Sequence, residues 1–216
     1  MFRYNIYFFF AILILSIPVV AQKDTSFVKL RTGETIYGKV EYKTQSVGAS
    51  YILIDDSIKY LLSKIDAYKI NDYYFGRVKG KNNFVTRIVE GNINLYRETV
   101  FNYVTPQGNY GSLDFDYISK GNEAIIDASY SNLLAALAYN NVSIEHIKTY
   151  QTMKYLGYGM LGGGLALAIT GLATGSKDKP NTGLMVGGLI VAVASWVPYL
   201  ISKSEYDKAI ESYNQH

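Results

Sequence analysis

The sequence predicts an α+β, membrane-anchored protein in which an antiparallel all-β domain, a small barrel or sandwich, is followed by a transmembrane α-helical hairpin. Residues 156–175 and 183–202 are each 20 residues long and contain no charged side chain, and about 20 helical residues cross a hydrocarbon core of about 30 Å. Residues 26–128 instead alternate apolar and polar side chains in short runs separated by turn residues, a pattern typical of antiparallel sheets. Tyrosine, 21 of 216 residues, suits both strands and membrane–water interfaces.

The N-terminus has the pattern of a cleavable export signal. One positive charge, Arg3, precedes an apolar run over Ile6–Ile17, and small residues at Val19 and Ala21 stand before Gln22. We expect a signal peptide over residues 1–21 and a mature chain that begins at Gln22. An uncleaved anchor helix is the alternative, and in both cases residues 22–150 leave the cytoplasm.

The predicted β domain covers residues 22–128. We expect a strand over Phe27–Leu30, a turn that contains Gly33, and one continuous alternating strand over Thr35–Lys43. Four further turns separate apolar runs, at Asp55–Ser57, Asn71–Asp72, Gly91–Asn92 and Lys120–Asn122.

Composition narrows the possible functions. The chain has no cysteine and two histidines, His146 and His216, so thiol nucleophiles, cysteine zinc sites and histidine-based dyads are disfavoured. Residues 22–150 carry 15 lysines and arginines against 14 aspartates and glutamates, which is unlike the basic face of a nucleic-acid-binding protein. We therefore predict no enzyme activity, no catalytic residue, no metal, no cofactor and no nucleic-acid partner.

Three segments resemble one group of proteins. The segment FVKLRTGETIYGKVEY over Phe27–Tyr42, together with Gly76–Tyr96 and the tail Ala209–Asn214, is similar to exported bacterial envelope proteins with a GETIYGKV-type β domain and a glycine-rich apolar C-terminal helix pair. The resemblance implies the localisation and the architecture and carries no activity. The first strand pair also looks like the start of an Sm-type RNA-binding barrel, which the export signal and the near-neutral charge disfavour.

A helical connector over residues 129–154 joins the β domain to the hairpin. Residues 131–139 predict a short helix, and Ser143 is the expected N-cap of a second helix that runs unbroken into the first span. His146 on this helix is expected to be a solvated surface residue. The hairpin occupies residues 155–202, and a helical tail over residues 203–216 lies on the same side as the β domain.

Three groups of side chains are candidates for a site in the β domain. Arg77, Lys79 and Lys81 could bind anions, or they could form a solvated turn. The aromatic residues Tyr73, Tyr74 and Phe75 could stack on a sugar or a peptide, or they could be core residues. The carboxylate pairs, Asp55 with Asp56 and Asp114 with Asp116, could serve a hydrolase or calcium, but we favour a turn for the first pair and the solvated face of a strand for the second.

Glycines recur at four-residue spacing in the apolar stretches, which predicts close helix packing. The predicted packing residues are Gly159, Gly163, Gly171, Gly175, Gly183 and Gly187. The stretches contain no ionisable side chain, which disfavours an ion or proton pathway.

These observations favour a non-catalytic, membrane-anchored envelope protein that binds, scaffolds or assembles. We expect membrane lipid as a partner, together with another membrane or envelope protein, self or other. The β domain is expected on the periplasmic side of the inner membrane, with the loop of residues 176–182 in the cytoplasm. An oligomeric pore or transport accessory subunit is the second hypothesis, and an envelope hydrolase is the third.

Overall fold

The structure is a computed structural model that describes residues 26–44, 48–103, 110–175 and 180–215. The predicted signal peptide over residues 1–21 lies outside these ranges. The chain divides into two compact units, one that ends at Tyr74 and one that begins at Phe75. Each unit is described by itself.

The first unit contains two small antiparallel sheets. Strands β1 (Phe27–Leu30), β2 (Thr35–Tyr37) and β6 (Ile65–Ile70) form one, with β1 in the centre, and Val28 lies opposite both Ile36 and Tyr68. Strands β3 (Val40–Lys43), β4 (Tyr51–Ile54) and β5 (Ile58–Leu61) form the other, in that order. A 3₁₀ turn over Leu62–Lys64 precedes β6.

The predicted strand over Thr35–Lys43 is wrong as a single element, because β2 and β3 lie in different sheets. The chain changes sheet at Gly38 and Lys39. The Lys39 backbone N–H donates to the Asp55 carboxylate at 2.8 Å, and a Cβ placed on Gly38 would lie 2.7 Å from the same carboxylate oxygens. An alternating pattern persists through such a corner, because both strands bury one face, so the pattern does not reveal it.

The turns of the first unit follow the predicted positions. Gly33 has φ +92°, and the β4–β5 hairpin turns through Asp55 and Asp56 at φ +49° and +56°. Asp and Asn tolerate this left-handed region better than other residues that carry a Cβ. The strands that these turns connect bury Val28, Ile52, Ile54 and Ile65 completely.

The second unit contains an antiparallel meander. Its strands are β7 (Tyr73–Arg77), which begins at the boundary, β8 (Phe84–Val89), β9 (Ile93–Tyr103), β10 (Tyr110–Lys120) and β11 (Ile126–Asp127), each beside the next. The long β9–β10 pair aligns Leu95 with Ile118 and Arg97 with Asp116. The predicted turns at Gly91–Asn92 and Lys120–Asn122 connect β8 to β9 and β10 to β11.

Four helices follow the meander: α1 (Tyr130–Ala136), α2 (Asn141–Ala173), α3 (Thr182–Ala194) and α4 (Trp196–Asn214). Helix α2 runs from the connector through the first apolar stretch without a break, as predicted. Its N-cap is Asn140, whose side chain accepts from the Ser143 N–H at 3.0 Å. The prediction of Ser143 as the cap is therefore wrong, and Ser143 is instead fully buried.

The second apolar stretch is not one regular helix. Ser195 separates α3 from α4, and Pro198 follows three residues later. Proline has no N–H and its ring clashes with the carbonyl four residues earlier, here that of Ala194, so the regular ladder ends there. The Ser195 hydroxyl donates to the Ala192 carbonyl at 2.6 Å.

The core of the second unit lies between the meander and the helices. Sheet residues Ile93, Leu95 and Ile118 pack with helix residues in one buried cluster. The helix residues are Leu133, Leu137, Ile147, Tyr206, Ala209 and Ile210. The start of α2 and the end of α4 therefore share one core with the sheet, and the C-terminal tail lies beside the strands.

The last turn of α4 is fastened to β9 by a side chain. The Asn214 amide accepts from the Ile93 N–H at 2.8 Å and donates to the Ile93 carbonyl at 3.0 Å. A Cβ on Gly91 would clash with this amide. Glycine at this turn thus leaves the space in which the tail docks.

Candidate functional site: a cavity where the helix pair leaves the sheet

Helix α2 lies antiparallel to α3 and α4, and we call them the helix pair. This pair has two ends of different character. We call residues 141–154 and 203–214 the sheet-packed end, and residues 155–173 and 182–202 the exposed end. The two helices contact each other along both ends, from His146 beside Glu205 to Gly171 beside Met185.

Large apolar side chains cover the exposed end. Both helical segments are long and apolar enough to cross a membrane, and only 22% of the residues in each apolar window are buried. Exposed side chains include Leu156, Leu165, Ile169, Leu172, Ile190, Val193, Trp196, Val197 and Leu200. The core helix of a water-soluble protein buries most such side chains. The fold is therefore an antiparallel sheet domain followed by a C-terminal helix pair with two apolar candidate spans.

A cavity of about 470 Å³ lies at the boundary between the two ends; we call it the junction cavity. Its volume falls within the roughly 300–1,000 Å³ of small-molecule sites. Strands β9 and β10, the chain from β11 to the start of α1, and the helices α2 and α4 form its walls. The polar and aromatic lining residues are Arg97, Asp114, Phe115, Asp116, Asp127, Ser129, Tyr150, Lys154, Tyr158, Tyr199, Ser202, Lys203, Tyr206 and Asp207.

An ion pair forms the sheet side of the cavity. Arg97 Nε donates to Asp116 Oδ1 at 2.7 Å and Arg97 Nη2 donates to Asp116 Oδ2 at 3.1 Å. This two-point contact raises the pKa of Arg97. Asp114 accepts from the Thr99 hydroxyl at 2.7 Å. The side chain of Asp114 is 48% exposed, in keeping with the predicted solvated face, whereas that of Asp116 is only 24% exposed, and both residues line the cavity.

The helix side holds two tyrosines and a lysine in contact. Lys154 Nζ donates to the Tyr150 hydroxyl at 3.0 Å, which raises the pKa of the lysine. The Tyr150 and Tyr206 rings lie 5.3 Å apart between centroids and are tilted by 55°, a favourable aromatic geometry.

Tyr206 contains an unpaired buried hydroxyl. The residue is 6% exposed, and its Oη has no hydrogen-bond partner among the described residues. Burial raises the pKa of this phenol, and the Asp116 carboxylate adds to the effect. Leaving a buried donor unsatisfied costs about 1–3 kcal/mol. Tyr206, which lines the cavity, thus carries a donor for which the described residues supply no acceptor.

Sequence reasoning did not find this site. Its residues come from a strand pair, the connector and the tail, with no motif among them. The available signal was that Lys154 and Lys203 lie just outside the first and last residues of the two apolar stretches, with Tyr158 and Tyr199 just inside.

Two of the three predicted anion-binding side chains, those of Arg77 and Lys81, have partners within the second unit. Arg77 Nη1 donates to Asn82 Oδ1 at 3.3 Å and its guanidinium lies 4.6 Å from the centre of the Phe84 ring. Lys81 pairs with Asp127 at 2.9 Å and lies over the Tyr117 ring. Lys79 belongs to the same turn, where its N–H donates to the Ile125 carbonyl.

The predicted aromatic residues differ in exposure. Tyr73 is 64% exposed, whereas Tyr74 is half-buried with its ring 6.2 Å from that of Phe27. Phe75 is half-buried on β7 opposite Thr86. Only Tyr73 presents a largely accessible ring.

Two other predicted residues occupy structural positions. His146 is not solvated as predicted, because its Nδ1 lies 2.6 Å from Glu205 Oε2 and so joins α2 to α4. Asp55 and Asp56 occupy the predicted turn, where Asp56 pairs with Lys39 at 3.1 Å. In the described part of the chain, no group of three or more His, Asp or Glu side chains could hold a metal ion.

Of the predicted packing glycines, Gly171 lies in the contact between the helices of the exposed end, and it is joined there by Gly157 and Gly164, which were not predicted. A Cβ on Gly164 would lie 2.5 Å from Ala192 N and 2.6 Å from the Gly188 carbonyl oxygen. Gly171 meets the backbone at Met185 equally closely, and Gly157 faces the Ser195 carbonyl at 3.4 Å.

The other predicted packing glycines require a correction. No atom of another described element lies within 4 Å of a Cβ placed on Gly159, Gly163 or Gly187, and Gly183 has only its own N-cap Asn181 nearby. Gly175 follows the end of α2. Four-residue spacing identified Gly171 but otherwise selected glycines outside the contact, whereas the seven-residue spacing of Gly157, Gly164 and Gly171 follows the contact.

Comparisons with protein families, with curated proteins and with solved structures return no match. The class of the protein therefore rests on its own geometry: a sheet domain with an apolar helix pair and a polar cavity where the pair leaves the sheet.

Proposed function

We propose that this chain is a non-catalytic, membrane-anchored protein of the bacterial envelope that binds or scaffolds at the membrane surface, with the junction cavity as its binding site. The observation that carries the proposal is the change along one continuous helix. Residues of α2 up to Lys154 pack against the sheet, and those beyond it expose large apolar side chains. Contact of these apolar side chains with hydrocarbon costs no free energy, whereas their exposure to water does.

The polar residues at the boundary support this placement. Lys154 and Lys203 flank the apolar stretches, and Tyr155, Tyr158, Trp196 and Tyr199 are all exposed just inside them. Lysine and aromatic side chains of this kind suit the headgroup level of a bilayer. The cavity opens among these side chains and lies between the strands and the helices, a position that suits binding at the membrane surface.

The same geometry supports one orientation. Both sheet-packed segments share one core with the meander, which favours two spans that begin and end on the side of the meander. With the predicted export signal, that side is the periplasm and the loop of residues 176–182 is cytoplasmic. The exposed faces at Gly159, Gly163 and Gly187 are available to a second membrane helix, self or other.

Two measurements test the proposal. The protein should stay in the membrane pellet after alkaline extraction. The cysteine-free chain also allows single reporters: Thr182→Cys should be shielded from an impermeant thiol reagent in spheroplasts, and Gln215→Cys should react. Release into the alkaline supernatant would overturn the membrane placement, and labelling of Thr182→Cys but not Gln215→Cys would overturn the orientation.

A further inference from the structure

We propose that the junction cavity binds the headgroup of a zwitterionic membrane phospholipid, with Lys154 and Lys203 at its phosphate and Asp207 at its ammonium group. This inference rests on the membrane placement proposed above. It goes further because it names the ligand and assigns roles to three side chains.

Several hydrogen-bond donors around the cavity have no acceptor. The hydroxyl of Tyr206, a residue that lines the cavity, is buried without a partner among the described residues, and the Lys203 ammonium makes no ion pair with a described carboxylate. Among the described residues, Lys154 donates its hydrogen bond to a phenol, Tyr150. A phosphodiester supplies several strong acceptor oxygens and one negative charge, which is the chemistry that these donors require.

Three of the four acids of the cavity already face a cation, and Asp114 and Asp116 share the single charge of Arg97. Asp116 is bound at two points by Arg97, Asp114 also faces Arg97 at 3.8 Å, and Asp127 pairs with Lys81. Asp207 is the remaining acid, and no described cation forms an ion pair with it. The groups left unpaired are therefore two lysines and one carboxylate, which complement one phosphate and one ammonium group.

The position of the cavity also suits a lipid headgroup. Tyr158 and Tyr199 line the cavity and belong to the exposed end, whereas Arg97 and Tyr206 belong to the sheet and the tail. The cavity thus extends from the apolar surface to the polar core. A lipid whose tails lie along the helices would place its headgroup there, whereas a free soluble headgroup would gain nothing from the apolar side.

The binding experiment uses the full mature chain, purified in detergent and delipidated. Native mass spectrometry would measure retention of phosphatidylethanolamine, of phosphatidylglycerol, and of soluble glycerophosphoethanolamine. We expect phosphatidylethanolamine to bind about five-fold or more tightly than each of the others, a difference that one additional charge contact can supply. Equal binding of the two lipids, or of the soluble headgroup, would overturn the proposal.

Matched variants locate the site. Lys203→Gln should weaken phosphatidylethanolamine binding about five-fold, whereas Lys208→Gln, on the same helix but paired with Glu205 outside the cavity, should not. Asp207→Asn should reduce the preference over phosphatidylglycerol. Equal effects of Lys203→Gln and Lys208→Gln would contradict the assignment.

Tyr206→Phe separates ligand binding from folding. Without lipid, removal of an unpaired buried hydroxyl should leave the unfolding temperature unchanged or raise it. With phosphatidylethanolamine, the same variant should lose part of the lipid-induced rise. A lower unfolding temperature in the lipid-free state would show that the hydroxyl is already paired within the protein. If alkaline extraction leaves the chain in the membrane but no lipid preference is found, only the headgroup proposal fails.

Discussion

The same two helical segments contact each other at both ends of the helix pair, but the kind of contact differs between the ends. At the sheet-packed end the contacts are made by large side chains: the Tyr150 ring packs at a tilt against Tyr206, and His146 contacts Glu205. At the exposed end the contact is backbone against backbone, where Gly164 meets Gly188 and Ala192.

The proposed membrane placement accounts for this difference. In water, burying a large apolar side chain lowers the free energy, so large side chains fill the sheet-packed end. In hydrocarbon that driving force is absent, and close backbone approach allows dispersion contacts instead. The change of contact type along α2 therefore supports a change of surroundings near Tyr155.

The largest expected effect concerns the sheet-packed end. Ile147→Ala removes a fully buried side chain from the core and should lower the free energy of unfolding by about 2–5 kcal/mol. Ile169→Ala, where the side chain is 64% exposed, should have a much smaller effect. Denaturant unfolding in detergent measures both, and equal losses would contradict the contrast between the ends.

A second prediction concerns the exposed end. Gly164→Leu would force a side chain into the Gly188–Ala192 backbone and should cost about 1–3 kcal/mol. Gly163→Leu, one residue away with open space around it, is the matched control. Resistance of the helix pair to protease should fall only for Gly164→Leu, and a loss in Gly163→Leu alone would place the contact on the other face.

A third prediction concerns the fastening of the tail. Asn214→Ala removes both hydrogen bonds to Ile93 and should cost about 1–2 kcal/mol. Gln215→Ala, an exposed residue whose amide bonds only Glu211, should change stability little. Hydrogen exchange at the Ile93 amide should accelerate only in Asn214→Ala. Unchanged exchange would mean that the Asn214 hydrogen bonds do not hold the tail against β9.

The smallest expected effect is the pH dependence of the sheet-packed end. Hydrogen bonds from Lys208 and then His146 lower the pKa of Glu205 below its ordinary value of 4.5. A lowered carboxyl pKa gives stability that is present above about pH 4.5 and is lost as pH falls below it.

Glu205→Gln should therefore flatten the acid side of the stability profile by a few tenths of a kcal/mol to about 1 kcal/mol. Glu145→Gln, at an exposed position of α2, is the control. Thermal unfolding between pH 3 and 7 measures the difference. An unchanged acid limb in Glu205→Gln would mean that this bridge does not contribute.

Local pattern was sufficient for much of the architecture. The turns at Gly33, Asp55–Ser57, Gly91–Asn92 and Lys120–Asn122, and the continuous helix through Lys154, follow from residue types whose backbone preferences act within a few positions. The two apolar stretches are equally local, because length and absence of charge decide whether a helix can lie in hydrocarbon.

Tertiary structure decided the features that depend on distant partners. The corner at Gly38 involves a distant partner, because the Asp55 carboxylate occupies the space beside this glycine. The break at Ser195, in contrast, has a local cause in Pro198, which a hydropathy pattern does not register. The helix contact at Gly164 rather than Gly163 depends on the rotation of two helices against each other, which sequence spacing leaves open. The junction cavity depends most on tertiary structure, because Arg97, Lys154 and Tyr206 meet only when strand, connector and tail share one core.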